Sequence, residues 1–275
     1  MFAKIQKTKK HFNADIPGKA IEGQYRKKSV NSQQTRIMSR DIFGLAFQDF
    51  IEGDLGASIL VEIDMGEQDM IPVAYFFRDY ESMPEKERMV MDACHGRVLD
   101  VGAGAGAHAE VLAERGLEVV ALDLSPGAIE IMRLKGLNAV RQDFFHYHEK
   151  GFDTILFLMN GAGIAGKLSG LKKMLQHARS LLNPGGEIFL ESTDLIYMYQ
   201  EEDKSYRIPF HDRYYGEVIF QLSYKGQEGK PFPWLFVDYD SLKETARECG
   251  LHTELIYVGE NHSYMARLYA EEDNT

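Results

Sequence analysis

Residues 98–106, Val-Leu-Asp-Val-Gly-Ala-Gly-Ala-Gly, restrict the possible folds of this chain more than any other stretch. An apolar strand carrying an acid runs straight into alternating glycines. Gly102, Gly104 and Gly106 let the backbone turn sharply and approach a ligand with no Cβ in the way, and residues 105–115 read as a helix whose N-terminus faces that ligand. Gly116 closes the helix. The unit reads as a nucleotide-type cofactor loop.

Two further strands bear on which cofactor. Residues 118–122 are an apolar run ending in Asp123, about 20 residues past the glycines, where a carboxylate can accept both hydroxyls of a ribose. Residues 138–142 lead into Asp143-Phe144, an acceptor for an exocyclic amine beside a ring that can cover a base. Gly102-x-Gly104-x-x-Ala107 also satisfies the dinucleotide fingerprint, so an NAD(P)-dependent oxidoreductase is a competing reading. Asp100, two residues before the first glycine, would repel a pyrophosphate and attract a ligand carrying an ammonium and a sulfonium. Charge therefore favours S-adenosylmethionine over NAD.

With these residues in this order, the chain resembles the class I S-adenosylmethionine-dependent methyltransferases over residues 96–269. Asp100 to Gly106 is similar to the family's first motif, and residues 152–160, Phe-Asp-Thr-Ile-Leu-Phe-Leu-Met-Asn, to its fourth strand. Residues 181–186, Leu-Leu-Asn-Pro-Gly-Gly, followed by 187–191, resemble the turn into strand five, and 251–258 with 264–269 resemble the closing strand pair. Ala103 stands where many relatives carry Cys or another small residue. The resemblance implies an α/β fold with a doubly wound, seven-stranded, mostly parallel sheet and an antiparallel last strand. It also implies site roles. Asp100, Gly102, Ala103, Gly104 and Gly106 would cradle the methionyl part, Asp123 would take the ribose and Asp143 the adenine amine. Leu124 and Phe144 would supply apolar faces, while Met159 and Asn160 would lie nearest the donor methyl. From their position before the capped helix, Tyr75, Phe76 and Phe77 either close over the cofactor, with Arg78 pairing with its carboxylate, or seal the sheet edge. S-adenosylhomocysteine would be the product.

A chain of 275 residues with 44% apolar content can bury a substantial core, as one large domain or one domain with an appendage. No apolar run approaches the roughly 20 residues of a membrane span and no secretory segment opens the chain, so a cytoplasmic enzyme with no membrane partner is expected. Cys94 and Cys249 have no Cys or His at zinc spacing nearby; neither a disulfide nor a metal site is expected. Net charge is −11, yet residues 1–40 hold ten Lys or Arg against Asp15 and Glu22. An acidic body disfavours broad nucleic-acid binding, and the basic arm is expected to pack on it.

Residues 1–38 read as that arm, and 39–95 as a helix, a hairpin and a lead-in helix. The helix spans 41–52 with Ser39 as N-cap, the hairpin pairs 58–63 with 70–77 at a sheet edge, and Ser82-Met83-Pro84-Glu85 caps a helix over 83–93. The cofactor-binding domain is 96–275, in which strand and helix alternate five times and Ser241 starts the last helix. Inside it, 193–240 is a tyrosine-rich insertion containing a hairpin, 217–224 against 231–237, on the acceptor side.

Methyl transfer from a sulfonium is an in-line displacement that proximity and alignment can drive, so a base is optional. Candidates for one are Asp194, His211 and Tyr214, with His108 expected instead to be a surface histidine. A small-molecule methyltransferase is the leading reading. An RNA or other nucleic-acid methyltransferase is the alternative carried by the basic arm, although Asn160-Gly161-Ala162-Gly163 stands where base-amino methyltransferases have an Asn-Pro-Pro-Tyr type of motif. A cofactor-binding protein without turnover is a third possibility.

Overall fold

A computed structural model of the chain describes residues 41–208 and 213–270. The basic arm, Ser39 and His211 lie outside the described residues. Helix α1 (Ile42–Ile51) opens the fold, N-capped by Asp41, whose Oδ1 accepts the Gly44 amide at 2.9 Å. Strands β1 (Ser58–Ile63) and β2 (Gln68–Pro72) pair antiparallel. The second strand was expected to run to residue 77. It stops at Pro72, which lacks an N–H for the ladder, and Val73–Phe77 coils as a 3₁₀ turn. Helix α2 (Glu85–Ala93) starts at Pro84 rather than through a Ser82 capping box, because the Ser82 amide is already held by Asp79.

The parallel layers follow the expected alternation. Strands β3 (Arg97–Val101), β4 (Glu118–Asp123), β5 (Ala139–Arg141), β6 (Phe152–Phe157) and β7 (Leu182–Thr193) run parallel, connected by helices α3 (Ala107–Glu114), α4 (Pro126–Leu134) and α5 (Leu168–Leu181). The central strands are buried on both faces, as near-continuous apolar runs such as Val119–Leu122 require. β8 (Glu217–Tyr224), β9 (Gln227–Glu228) and β10 (Phe232–Leu235) come from the insertion, and helix α6 (Tyr239–Glu248) follows. Asp238, three residues before the expected Ser241, caps α6 by accepting the Ser241 amide at 2.8 Å. β11 (His252–Val258) and β12 (Ser263–Tyr269) complete the main sheet, ordered β11-β12-β7-β6-β3-β4-β5, in which β12 is antiparallel to both neighbours.

The insertion hairpin and the N-terminal hairpin, which looked independent in sequence, form one antiparallel sheet. β8 pairs with β1 in the register Val61↔Leu222, giving the order β10-β8-β1-β2 with β9 alongside β8. One face of the main sheet packs under α1 and this second sheet, with Phe47, Phe50 and Phe236 fully buried there. α1 crosses the start of α4 so closely that a Cβ on Gly127 would lie 2.3 Å from the Gly44 Cα. Asp41 Oδ2 ties the crossing by accepting from Ser125 Oγ at 2.8 Å and the Gly127 amide at 2.9 Å.

Candidate active site

The glycine loop leaves β3 in left-handed backbone at Gly102, Gly104 and Gly106, with φ of 75°, 58° and 83°. Side chains would be strained there, which is why the loop alternates glycine. Gly106 is itself the N-cap of α3. Phe76 sits on the loop: a Cβ on Gly104 would lie 3.2 Å from its ring. Phe76 with Asp100, Val101, Gly102, Ala103, Ala107, His108, Leu158 and Met159 lines a cavity of about 20 Å³.

Beneath that cavity is a buried ionic chain of which the sequence identified only the ends. Arg78 Nη2 donates to both Glu87 oxygens at 3.0 and 2.8 Å, and His108 Nε2 lies 2.9 Å from Glu87 Oε2. His108 is 5% exposed, not the surface histidine expected, and joins Glu87 to the cavity wall. Burial works against the charged form of each, but their mutual hydrogen bond and charge hold the Glu87 carboxyl below the ordinary range and lift His108 above its ordinary value. Burial raises Asp100, opposed by the His108 charge and the Ala109 amide. Asp100 is 2% exposed, and its Oδ2 and Arg78 Nε are both buried without a hydrogen-bond partner. A buried unpaired acceptor on the cavity wall, and a buried unpaired cationic donor linked to that wall through Glu87 and His108, suit an amino acid zwitterion. The methionyl part of S-adenosylmethionine fits this pair.

The three strand-end acids occupy different surroundings. Asp123 Oδ2 accepts the Gly104 amide and Oδ1 the Ser125 amide, both at 2.8 Å, so it braces the glycine loop as well as standing at the end of β4. Burial, against those amides and reinforced by Asp41, pushes its carboxyl up to about 6. Asp143 accepts the Phe145 amide at 2.8 Å and keeps a half-exposed carboxylate. Leu124 is 63% exposed beside Asp123. Phe144 departs from its expected role: its ring is buried edge-on against Phe157 and His177 in the core.

Met159 and Asn160 leave β6 with φ of 53° and 62°, two consecutive left-handed non-glycine residues. Such strain persists only where surroundings enforce it. Here Glu191 enforces it, accepting the Met159 amide at 2.8 Å and the Lys86 ammonium at 2.5 Å. The signal was present in the sequence, since an acid within the buried run Ile188-Phe189-Leu190-Glu191 needs partners. Asn160 Nδ2 reaches the Leu235 carbonyl at 3.4 Å, while its Oδ1 is buried without a partner.

The base candidates have structural partners. Asp194 Oδ1 accepts the Ile196 amide at 2.8 Å and the Tyr215 hydroxyl at 2.7 Å. Tyr214 donates to Asp238 Oδ2 at 2.5 Å and accepts the Asp238 amide at 2.9 Å. Burial and then Asp238 raise the Tyr214 hydroxyl, which opposes a role as base. Neither Asp194 nor Tyr214 lines the cavity. Burial also pushes the Cys94 thiol up to about 12, so it is no nucleophile at neutral pH.

A glycine cradle at the carboxyl end of a parallel sheet, successive strand-end carboxylates and an antiparallel closing strand define an α/β enzyme of the methyltransferase class. A family model described as a methyltransferase domain matches residues 98–186. The chain is 38% identical to a SAM-dependent methyltransferase from Bacteroides fragilis solved with S-adenosyl-L-homocysteine, covering 85% of this chain and 96% of that one at a TM-score of 0.78. It therefore belongs to the S-adenosylmethionine-dependent methyltransferases, and S-adenosylmethionine is its cofactor. The CcbJ methyltransferase of Streptomyces caelestis, 16% identical over 70% of this chain and 95% of that one, shares the fold at a TM-score of 0.53. A ubiquinone biosynthesis O-methyltransferase of Xanthomonas oryzae is 31% identical over 112 residues, 37% of this chain. The match spans 45% of that curated relative's length. No helix among the described residues is long and apolar enough to cross a membrane.

Proposed function

We propose that this enzyme methylates a small molecule rather than a nucleic acid or a protein. The observation that carries the reading is the roof over the carboxyl ends of the strands: α1, the 73–77 turn and the second sheet cover the glycine loop, and Phe76 touches it. A cover in contact with the cofactor loop accommodates a compact acceptor better than a duplex, and its aromatic, partly apolar lining suits one. The curated relative's quinone-pathway name points the same way.

The cofactor supplies a methyl group already activated on a sulfonium. What remains for the protein is to bind, orient and exclude water. Asp100 Oδ2 and Arg78 Nε would hold the ammonium and carboxylate, with Glu87 and His108 fixing Arg78 and balancing the buried charge. Asp123 would take the ribose and Asp143 the adenine amine. Met159 and Asn160, on the turn pinned by Glu191, would lie nearest the donor methyl.

The test is incubation of the full chain with methyl-labelled S-adenosylmethionine and a cell extract separated into dialysable, RNA and protein fractions. Label above that in extract without the chain is expected in a dialysable species that chromatography separates from S-adenosylmethionine. Label in RNA or protein would overturn the small-molecule reading.

A further inference from the structure

Asn160 is 3% exposed, and no donor among the described residues reaches its Oδ1. Its Nδ2 donates to the Leu235 carbonyl of β10 at 3.4 Å. A carbonyl can only accept, so the amide nitrogen faces β10 and the oxygen is turned away from it. Three neighbours place the residue at the edge of the cofactor cavity. Met159, bonded to it, lines that cavity. Ile164, in the 3₁₀ turn Gly161–Ala165 that follows Asn160, would lie 3.5 Å from a Cβ on Gly102 of the glycine loop. Leu235 belongs to the second sheet, part of the roof. The turn is clamped at both ends. Glu191 holds the Met159 amide at 2.8 Å, and Trp234, stacked on Phe220 at 5.5 Å, packs so closely on Gly163 that no Cβ would fit there. The Gly163 amide closes the turn on the Asn160 carbonyl at 3.0 Å. Asn160 is thereby held in left-handed backbone, with φ of 62°, and its Oδ1 keeps one direction.

A buried acceptor without a donor is costly, and here it sits on a strained, rigidly held turn beside the cofactor cavity. A ligand that brings the donor relieves it. We infer that Asn160 Oδ1 is the hydrogen-bonding group of the acceptor subsite and that the molecule methylated is an amine, which donates an N–H to it. The chemistry of a side-chain amide selects nitrogen over oxygen, because Asn160 accepts a hydrogen bond but takes no proton. A neutral amine with its N–H on Asn160 Oδ1 keeps its lone pair for the methyl carbon. That lone pair forms the nitrogen–carbon bond, the carbon–sulfur bond breaks with its electron pair on sulfur, and the resulting ammonium releases its proton to solvent after transfer. A hydroxyl in the same pose would become an oxonium unless a base removed its proton during transfer. Asp194 and Tyr214 bond to other partners away from the cavity, and His108 on the cavity wall is bonded to Glu87.

This assignment rests on the small-molecule reading above. The full chain is incubated with S-adenosylmethionine carrying a carbon-13 methyl group and the dialysable fraction of a cell extract. Carbon-13 NMR of the product separates a methyl on nitrogen from one on oxygen, sulfur or carbon. The transferred methyl is expected on nitrogen, with a resonance that moves as the amine titrates. Asn160→Gly removes the side chain at a position whose left-handed backbone glycine adopts freely. It should lower the initial rate of transfer by about ten-fold or more, the value of one hydrogen bond, while S-adenosylhomocysteine affinity measured by calorimetry stays in place. A methyl found on oxygen, sulfur or carbon, or transfer by Asn160→Gly at the wild-type rate, overturns the amine subsite while the small-molecule reading stands. Loss of S-adenosylhomocysteine affinity in Asn160→Gly also overturns it, because the side chain would then serve the cofactor. Label confined to RNA or protein in the fractionated extract overturns the small-molecule reading and this one with it.

Discussion

Gly127→Ala sets two physical effects of opposite sign against each other. On helix propensity alone, replacing glycine by alanine in α4 should stabilise by up to about 1 kcal/mol. The crossing with α1 says otherwise. The new Cβ would lie 2.3 Å from the Gly44 Cα and 3.1 Å from its carbonyl carbon, both backbone atoms that no rotamer change can move aside. Overpacking of this kind costs about 1–3 kcal/mol, so the net expectation is destabilisation by about 1–2 kcal/mol, a melting temperature lower by about 2–8 °C. Relief requires α1 to lift, which pulls Asp41 away from Ser125 and Gly127, next to the Asp123 carboxylate. S-adenosylhomocysteine affinity should therefore fall several-fold along with stability. Calorimetric melting and titration of the purified variant measure both. A variant as stable as the wild type, or more so, would refute the close crossing and its coupling to the cofactor loop.

Asp123→Asn should trade stability against binding. A carboxyl raised from an ordinary 3.8 to about 6 contributes stability that is present below 3.8 and lost as pH rises through 6, on the order of 3 kcal/mol. Well above pH 6 the neutral amide should therefore melt higher than the wild type, less about 1 kcal/mol for an amide acceptor lost, while S-adenosylhomocysteine binds at least about ten-fold more weakly; lower stability there would contradict the assigned burial. Glu87→Gln should destabilise by about 3–5 kcal/mol, because Arg78 and His108 lose their buried counter-charge. Glu87 is depressed, so its contribution is present above 4.5 and lost as pH falls through its folded value; His108 is raised, so its contribution is present below 6.5 and lost as pH rises. Urea unfolding between these limits should show the largest deficit of the variant, and a flat pH profile for that deficit would count against the network. Tyr214→Phe removes two hydrogen bonds to Asp238 and should cost about 1–3 kcal/mol in unfolding free energy, with initial methyl-transfer rates nearly unchanged; a rate loss of about a hundred-fold would restore Tyr214 as a base.

The strand, glycine loop and helix at residues 97–114 are legible because every constraint there is local: apolar runs of strand length, glycines where the backbone turns left-handed, and a helix that begins at the last of them. Local signals misplaced boundaries where a competing partner was near in sequence but unseen, as with Asp79 at Ser82 and Asp238 at Ser241. They could not show that His108 is buried, since a lone histidine in a helix has no periodic signature and its partner Glu87 lies 21 positions away. Nor could they show that Phe144 serves the core rather than a ligand. By itself the sequence determined the class of fold and the type of cofactor, because strand ends, glycines and acids recur within single strand–helix units. Only the tertiary structure decided the roof. The pairing of β1 with β8 and the helix crossing at Gly44 and Gly127 join residues about 80 to 160 positions apart. Close contact over such separations depends on how whole elements pack, and no short-range pattern encodes it.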